Sequence, residues 1–403
     1  MALLALWESN PTAVGKLRIE QIVVTAGNGH LVDDSDCSRE LRSYLASIPL
    51  ADLRKHAERC LDSKFERSGL VLQDIINEIG RRLGYSVTNG RYQGTKNSSG
   101  YDGLWKSPEG KAIVIEVKTT DAYRIKLQKL IDYRRVLHSD GHLGDTASVL
   151  IVVGRDDTGE LEEQVRGSRY AWDIRLISVT ALLKLAEVKE ETDAPETANQ
   201  IRTLLVPFDN TRLDGIIDVM FATTADVANP IDAEPPDGEE QPKSAPVERR
   251  IVTDREAIAK KRDQLLVTLS DLHSVPFIKN TRATYWDPTH ELRAVCAVSK
   301  AYPDYGEYRY WYAYHPAWDE FLSGGKNGLI GWACLDLDVA FVMPRQKLYP
   351  LLSNMNQTIR EEGRSYWHIK ILRKADGHYY LHQPLGDDDV PLAPFTIELK
   401  KAE

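Results

Sequence analysis

The seven residues Ala112-Ile113-Val114-Ile115-Glu116-Val117-Lys118 constrain the fold more than any other stretch of the chain. Successive side chains of a strand point to opposite faces, so Ile113, Ile115 and Val117 share one face and Val114, Glu116 and Lys118 the other. A strand apolar on both faces belongs inside a sheet that helices cover on both sides, which is an α/β arrangement. This one nevertheless ends in a carboxylate and an ammonium on a single face. Taking an ion out of water is costly unless it is paired or holds a metal, so the two charges demand a reason.

The flanking sequence supplies the covering helices. Phe65, Leu72, Ile75, Ile76, Ile79 and Leu83 recur at helical spacing and Gly84 follows as a stop signal. The period then changes to two. YSVTNGRYQG, YDGLW and AIVIEVKTT predict three strands, RIKLQKLIDYRRVL a helix burying Leu127, Leu130, Ile131 and Leu137, and TASVLIVVG a fully buried fourth strand. LEEQVRGSR, IRLISV and VTALLKLAEV extend this with a helix, a strand and a helix. The order is α-β-β-β-α-β, with a mixed sheet. Ahead of it, LRIEQIVVTAGNGHL and RELRSYLASIPLADLRKHAERCL read as short helices broken at Gly-Asn-Gly and at Pro49.

With 403 residues the chain suits two or three domains. DVANPIDAEPPDGEEQPKSAPVE, residues 226 to 248, carries five prolines and seven acids against one lysine, too little apolar surface to offset the entropy of ordering it. The expected division is a helical segment 1–62, an α/β domain 63–225, an acidic Pro-rich linker 226–249 and an aromatic-rich α+β domain 250–403. Net charge is −9, yet residues 63 to 135 hold 14 Lys or Arg and 8 Asp or Glu, a local net of +6. An acidic total therefore does not exclude a polyanionic partner. No run reaches the roughly 18 to 20 apolar residues a membrane span needs, and MALLALWESNPTA lacks the basic start and long apolar core of a signal peptide, so a soluble cytoplasmic protein is expected. Cys37, Cys60, Cys296 and Cys334 are scattered without metal-ligand spacing and read as buried small hydrophobes.

Asp102 lies 14 positions before Glu116 on the neighbouring predicted strand, and a hairpin through Ser107-Pro108-Glu109-Gly110 brings the two carboxylates together. Adjacent carboxylates repel, and a divalent cation resolves the repulsion. Mg²⁺ favours one or two carboxylates plus waters and a phosphate oxygen. Lys118, one pleat further on the same face, then stands where a water attacking that phosphate must be oriented or deprotonated.

Asp102 followed by Glu116-Val117-Lys118 on a buried strand, within this order of elements, resembles the PD-(D/E)xK nuclease superfamily over about residues 64 to 180. The resemblance implies a restriction-endonuclease-like fold and Mg²⁺-dependent hydrolysis of DNA phosphodiesters, with Asp102 and Glu116 as metal ligands and Lys118 as catalytic lysine. Resolvase-like and Mrr-like members often carry a further Glu on the first helix. Gln73 stands at that place, able to orient a metal-bound water, with Asp74 and Glu78 as weaker substitutes; Tyr101 stands where the superfamily's Pro would precede Asp102.

DNA contacts are expected from Arg124, Lys126 and Lys129, with Arg134 and Arg135, and from the polar loop holding Lys96, Ser98 and Ser99. Gln164, Arg166 and Arg169 either join them or merely solvate a helix. Beyond residue 250, YRYWYAYHPAW alternates Tyr310, Tyr312 and Tyr314 with Trp311; such strands either stack an unpaired base, giving Tyr310, Trp311 and Tyr312 a role in target recognition, or pack an ordinary core. His315, Asp319, Asp336 and Asp338 have no metal spacing and are not read as a second site. The expectation is a restriction or genome-defence endonuclease acting on DNA, with a homodimer open. A repair or junction-resolving nuclease, or a binding protein in which Glu116 and Lys118 simply pair, are the alternatives.

Overall fold

A computed structural model describes residues 2–63, 65–93, 100–119, 125–139, 147–154, 159–192, 195–206, 255–302, 310–359, 365–386 and 388–400. Lys96, Ser98, Ser99, Arg124 and the expected linker 226–249 lie outside the described residues. The chain divides into two compact units between Thr224 and Ala225. Together they make a mixed α/β protein with mixed sheets.

The first unit begins with α1 (Ala2–Ser9), α2 (Pro11–Val14), α3 (Ile19–Thr25), α4 (Asp36–Ser47) and α5 (Leu50–Asp62). Ser35 caps α4 by accepting the Ser38 N–H at 3.1 Å, and Pro49 separates α4 from α5 as its missing N–H requires. Then follow α6 (Ser68–Arg82), β1 (Ser86–Asn89), β2 (Gly103–Lys106), β3 (Ala112–Lys118), α7 (Leu127–Ser139), β4 (Ser148–Val153), α8 (Gly159–Arg166), β5 (Ile174–Ser178), α9 (Val179–Glu190) and α10 (Pro195–Thr203). Gly84, at φ +89°, ends the α6 turn in a conformation that favours glycine.

The sheet runs β1-β2-β3-β4-β5, antiparallel from β1 to β3 and parallel from β3 to β5. Central β3 buries Ile113, Ile115 and Val117 in a core with Leu72, Ile75, Ile76 and Ile79 of α6 and with Leu41, Leu45 and Leu53 of α4 and α5. Its other face puts Val114 against Leu127, Leu130 and Ile131 of α7 and Val149 and Ile151 of β4. The helices α1 to α5 thus share one core with α6 and β3. Ion pairs reinforce that junction: Arg42 Nε to Asp74 at 2.9 Å, and Arg82, which bonds Glu78 at 2.9 Å and the Ile48 carbonyl at 2.7 Å.

The second unit opens with a helix over Arg255–His273 and contains two sheets. One has the order β16-β11-β10-β8-β7-β6, from β6 (Ile278–Lys279), β7 (Thr284–Trp286), β8 (Leu292–Ser299), β10 (Asn327–Cys334), β11 (Val339–Pro344) and β16 (Thr396–Glu398), with β8 and β10 parallel. The other sets β9 (Tyr310–Tyr314) on β13 (Ser365–Arg373), which joins β12 (Gln357–Ile359), β14 (Tyr379–Leu381) and β15 (Val390–Pro391). LIGWACLDLDVAFVMP forms the β10–β11 hairpin. No helix among the described residues is long and apolar enough to cross a membrane.

Candidate active site

The site is built on the β2–β3 hairpin. Its turn closes when Gly110 N–H donates to the Ser107 carbonyl at 3.0 Å, with Gly110 at φ +82°. Pairing of Gly103 with Ile115 then leaves Asp102, one residue before β2, level with Glu116. The Asp102 N–H donates to the Ile115 carbonyl at 3.0 Å, and its carboxylate Oδ2 accepts the Val117 N–H at 2.7 Å. A side chain thus continues the ladder where β2 leaves it.

The main chain of Asp102 is clamped from the other side. Its carbonyl accepts three donors: Gly90 N–H at 3.0 Å, Gln73 Nε2 at 3.0 Å and Asn77 Nδ2 at 2.9 Å. Asn77 is itself fixed, since its Oδ1 accepts the Trp105 Nε1–H at 3.0 Å. Close approach at this point requires missing side chains. A Cβ on Gly90 would lie 2.0 Å from the Tyr101 carbonyl oxygen, one on Gly103 2.1 Å from Asn77 Oδ1, and one on Gly80 2.4 Å from the Trp105 ring.

Lys118 Nζ pairs with Glu116 Oε1 at 2.5 Å, with side chains 33% and 13% exposed, so the pair is half-open to solvent. Burial, and then the charge of Glu116, raise the Asp102 carboxyl to about 7, against the Val117 N–H, Lys118 and Lys129, which favour its ionised form. Lys129, in the first turn of α7, lies 5.3 Å from the Tyr133 ring centre. Its ammonium is held above the ordinary range by a hydrogen bond to Tyr133 and by the attraction of Tyr133, Glu116 and Asp102. Asp102, Glu116, Lys118 and Lys129 therefore form one electrostatic cluster.

Other expected residues are placed differently. Gln73 reaches the site through the Asp102 main chain, as a brace donating to a carbonyl. Asp74 is held by Arg42 and the Tyr92 hydroxyl, and Glu78 by Arg82 and Arg81, so neither substitutes as a ligand. Lys126 is exposed beside Lys129. Gln164 clasps Ile125 by both main-chain groups, at 3.0 and 2.7 Å, and Arg166 pairs with Glu162 at 3.1 Å.

Tyr310, Trp311 and Tyr312 are buried, so of the two readings of these strands the packed core holds and the stacking role in target recognition is corrected. Tyr310 and Tyr312 pack with Trp332 and Phe341, their hydroxyls donating to Asp336 at 2.8 Å and to the Ala333 carbonyl at 3.0 Å. Trp311, on the other face, packs with Tyr302, Ala313 and Tyr366. Alternation assigned the faces correctly; each face is core because the sheet is covered on both sides. Asp319 is engaged by Arg345 at 2.6 Å. Among the described residues no group of three or more His, Cys, Asp or Glu is arranged to hold a metal, so the candidate centre offers two carboxylates.

Asn77, Gly80, Gly103 and Trp105 are the site residues that sequence reasoning passes over. One signal was available: Gln73, Asn77 and Gly80 recur at i, i+4 and i+7 along α6, a polar and small stripe on a helix otherwise rich in Ile and Leu. The chain matches no known protein family, and no curated protein is similar to it in sequence.

Proposed function

We propose that residues 63 to 225 form a restriction-endonuclease-like core and that the protein is a Mg²⁺-dependent DNA endonuclease of the PD-(D/E)xK kind, acting in restriction or genome defence. The observation that carries this reading is the pairing of Asp102 with Glu116 across β2 and β3, with Lys118 on the same face of β3 as Glu116. Two carboxylates side by side repel unless a cation or a proton intervenes, and the raised Asp102 carboxyl reports that repulsion together with its burial. Hard carboxylate oxygens fit Mg²⁺, which keeps waters and a phosphate oxygen in its remaining positions. When bound, the ion would supply Lewis-acid polarisation of the phosphate and a more acidic water.

The chain's own residues divide the remaining work. Asp102 is immobilised by its carbonyl clamp and by Val117 N–H, so its carboxylate is preorganised and loses little entropy on binding. Glu116 provides the second anionic ligand. Lys118 orients the attacking water or offsets charge on the phosphate, and Lys129 adds a second positive charge that both carboxylates attract. Lys126 and Lys129 attract phosphates without reading sequence.

The 2.5 Å Glu116–Lys118 ion pair also supports a second reading, in which the charges merely satisfy each other and the protein binds nucleic acid without cutting it. Incubating purified protein with modified and unmodified plasmid, with and without Mg²⁺, separates the two. The nuclease reading expects Mg²⁺-dependent cleavage that Glu116→Ala abolishes; cleavage that survives this change, or Mg²⁺ that alters neither cleavage nor melting temperature, refutes it.

A further inference from the structure

An open cleft of about 710 Å³ lies between the start of α7 and the residues that follow α8, lined by Lys126, Gln128, Lys129, Gln164, Ser168 and Tyr170 among others. Lys129 belongs to both places: it lines the cleft and interacts with Asp102 and Glu116. One ammonium thus both lines the cleft and feels the charge of the two carboxylates.

Its walls have a specific chemistry. Lys126, Gln128 and Lys129 are exposed, and Tyr170 is half-buried with its hydroxyl bonded to Gln128 Oε1. The Arg169 guanidinium lies 4.9 Å from the Tyr170 ring centre and donates to the same Gln128 oxygen at 3.0 Å. Gln164 bonds Ile125 through both main-chain groups and so holds the entrance to α7 in place. An aromatic ring with a guanidinium over one face, sharing a cleft with two ammonium groups, is a combination that can take a base by stacking and its phosphates by charge. The volume falls in the range of small-ligand pockets.

Resting on the nuclease reading for its place in the reaction, we propose that this cleft is a subsite for an unpaired nucleotide flanking the scissile phosphate, so that among DNA substrates those with a single-stranded segment at the cut are preferred. Tyr170 stacks the base, and Lys126 and Lys129 hold its phosphates. Fully paired DNA gains nothing from the cleft.

The test uses the full chain carrying Asp102→Asn, to prevent cleavage, and measures anisotropy of a labelled oligothymidylate and of a duplex of equal length in EDTA. Adding Tyr170→Ala should weaken oligothymidylate binding about tenfold, the loss of one stacked base, and change duplex binding less than about twofold. Tyr170→Phe, which keeps the ring, should stay within about twofold of the parent, and Lys126→Ala should reduce the salt dependence of oligothymidylate binding by roughly one phosphate contact. Unchanged oligothymidylate binding by Tyr170→Ala, or equal losses for single strand and duplex, overturns the subsite. Parallel assays on the parent chain with Mg²⁺ and flapped or blunt substrates separate the two ideas. Glu116-dependent cleavage indifferent to Tyr170→Ala removes the subsite and leaves the nuclease; Tyr170-dependent binding without any Mg²⁺-dependent cleavage supports the subsite and removes the nuclease.

Discussion

Gly103→Ala tests whether the brace between α6 and Asp102 is as tight as the geometry states. Gly103 lies outside the left-handed region, so an alanine there meets no backbone strain and the entire effect must come from contact. The added methyl would sit 2.1 Å from Asn77 Oδ1 and 3.1 Å from its Cγ, which forces the amide out of its place. Two bonds then break. The Trp105 indole N–H, on a fully buried side chain, is left without its acceptor at a cost of about 1 to 3 kcal/mol. The Asp102 carbonyl keeps Gly90 and Gln73 as donors and loses about 1 kcal/mol with Asn77. The single change should therefore destabilise the first unit by about 2 to 4 kcal/mol. Asn77→Ala breaks the same two bonds and should cost a similar amount, but it also removes the atom that Gly103→Ala strikes. The double variant should then cost about as much as either single one, giving a coupling of about 2 to 4 kcal/mol in a double-mutant cycle. Urea-dependent hydrogen exchange of β3 amides would measure these values within the first unit. A Gly103→Ala cost below about 0.5 kcal/mol, or equal costs with and without Asn77, would refute the clamp.

Asp102→Asn should abolish Mg²⁺-dependent cleavage yet stabilise the chain above pH 7: a folded carboxyl raised to about 7 carries its penalty fully above that pH and loses it as pH falls toward 4, so the gain of about 1 to 3 kcal/mol should shrink over that window in pH-resolved melts. Mg²⁺ affinity, measured calorimetrically, should fall about tenfold per pH unit below 7, because the ligand must first lose its proton; a flat profile would count against Asp102 as a ligand. Fully buried Lys189 is lowered to about 7, chiefly by desolvation, with Arg202 and Arg82 acting the same way and Glu190 opposing. Its penalty is complete below pH 7 and vanishes toward 10.5, so Lys189→Met should stabilise the protein most near pH 6 and least near pH 10; a constant difference in unfolding free energy would contradict this.

The sequence by itself determined what depends on short-range periodicity. Alternation along residues 112 to 118 put Glu116 and Lys118 on one face, and Ser-Pro-Glu-Gly specified the tight turn that brings Asp102 level with Glu116. Apolar runs on both faces of β3 and β4 required helices above and below, and α6 and α7 take those positions. The break at Pro49 and the stop at Gly84 were equally local, since each residue acts through its own backbone. Tertiary structure alone decided how α6 is rotated against the sheet. Gly80 seats on the Trp105 ring, and that contact aims Gln73 and Asn77 at a carbonyl, which helical spacing cannot reveal because it orders residues around an axis without saying what each one meets. Likewise, a pattern of aromatic residues shows which rings share a face of β9 but not whether a second layer covers that face, and Tyr310, Trp311 and Tyr312 became core only when the strands around them assembled. The attraction between Lys129 and the two carboxylates is of the same kind, since it depends on how a whole helix packs against the sheet.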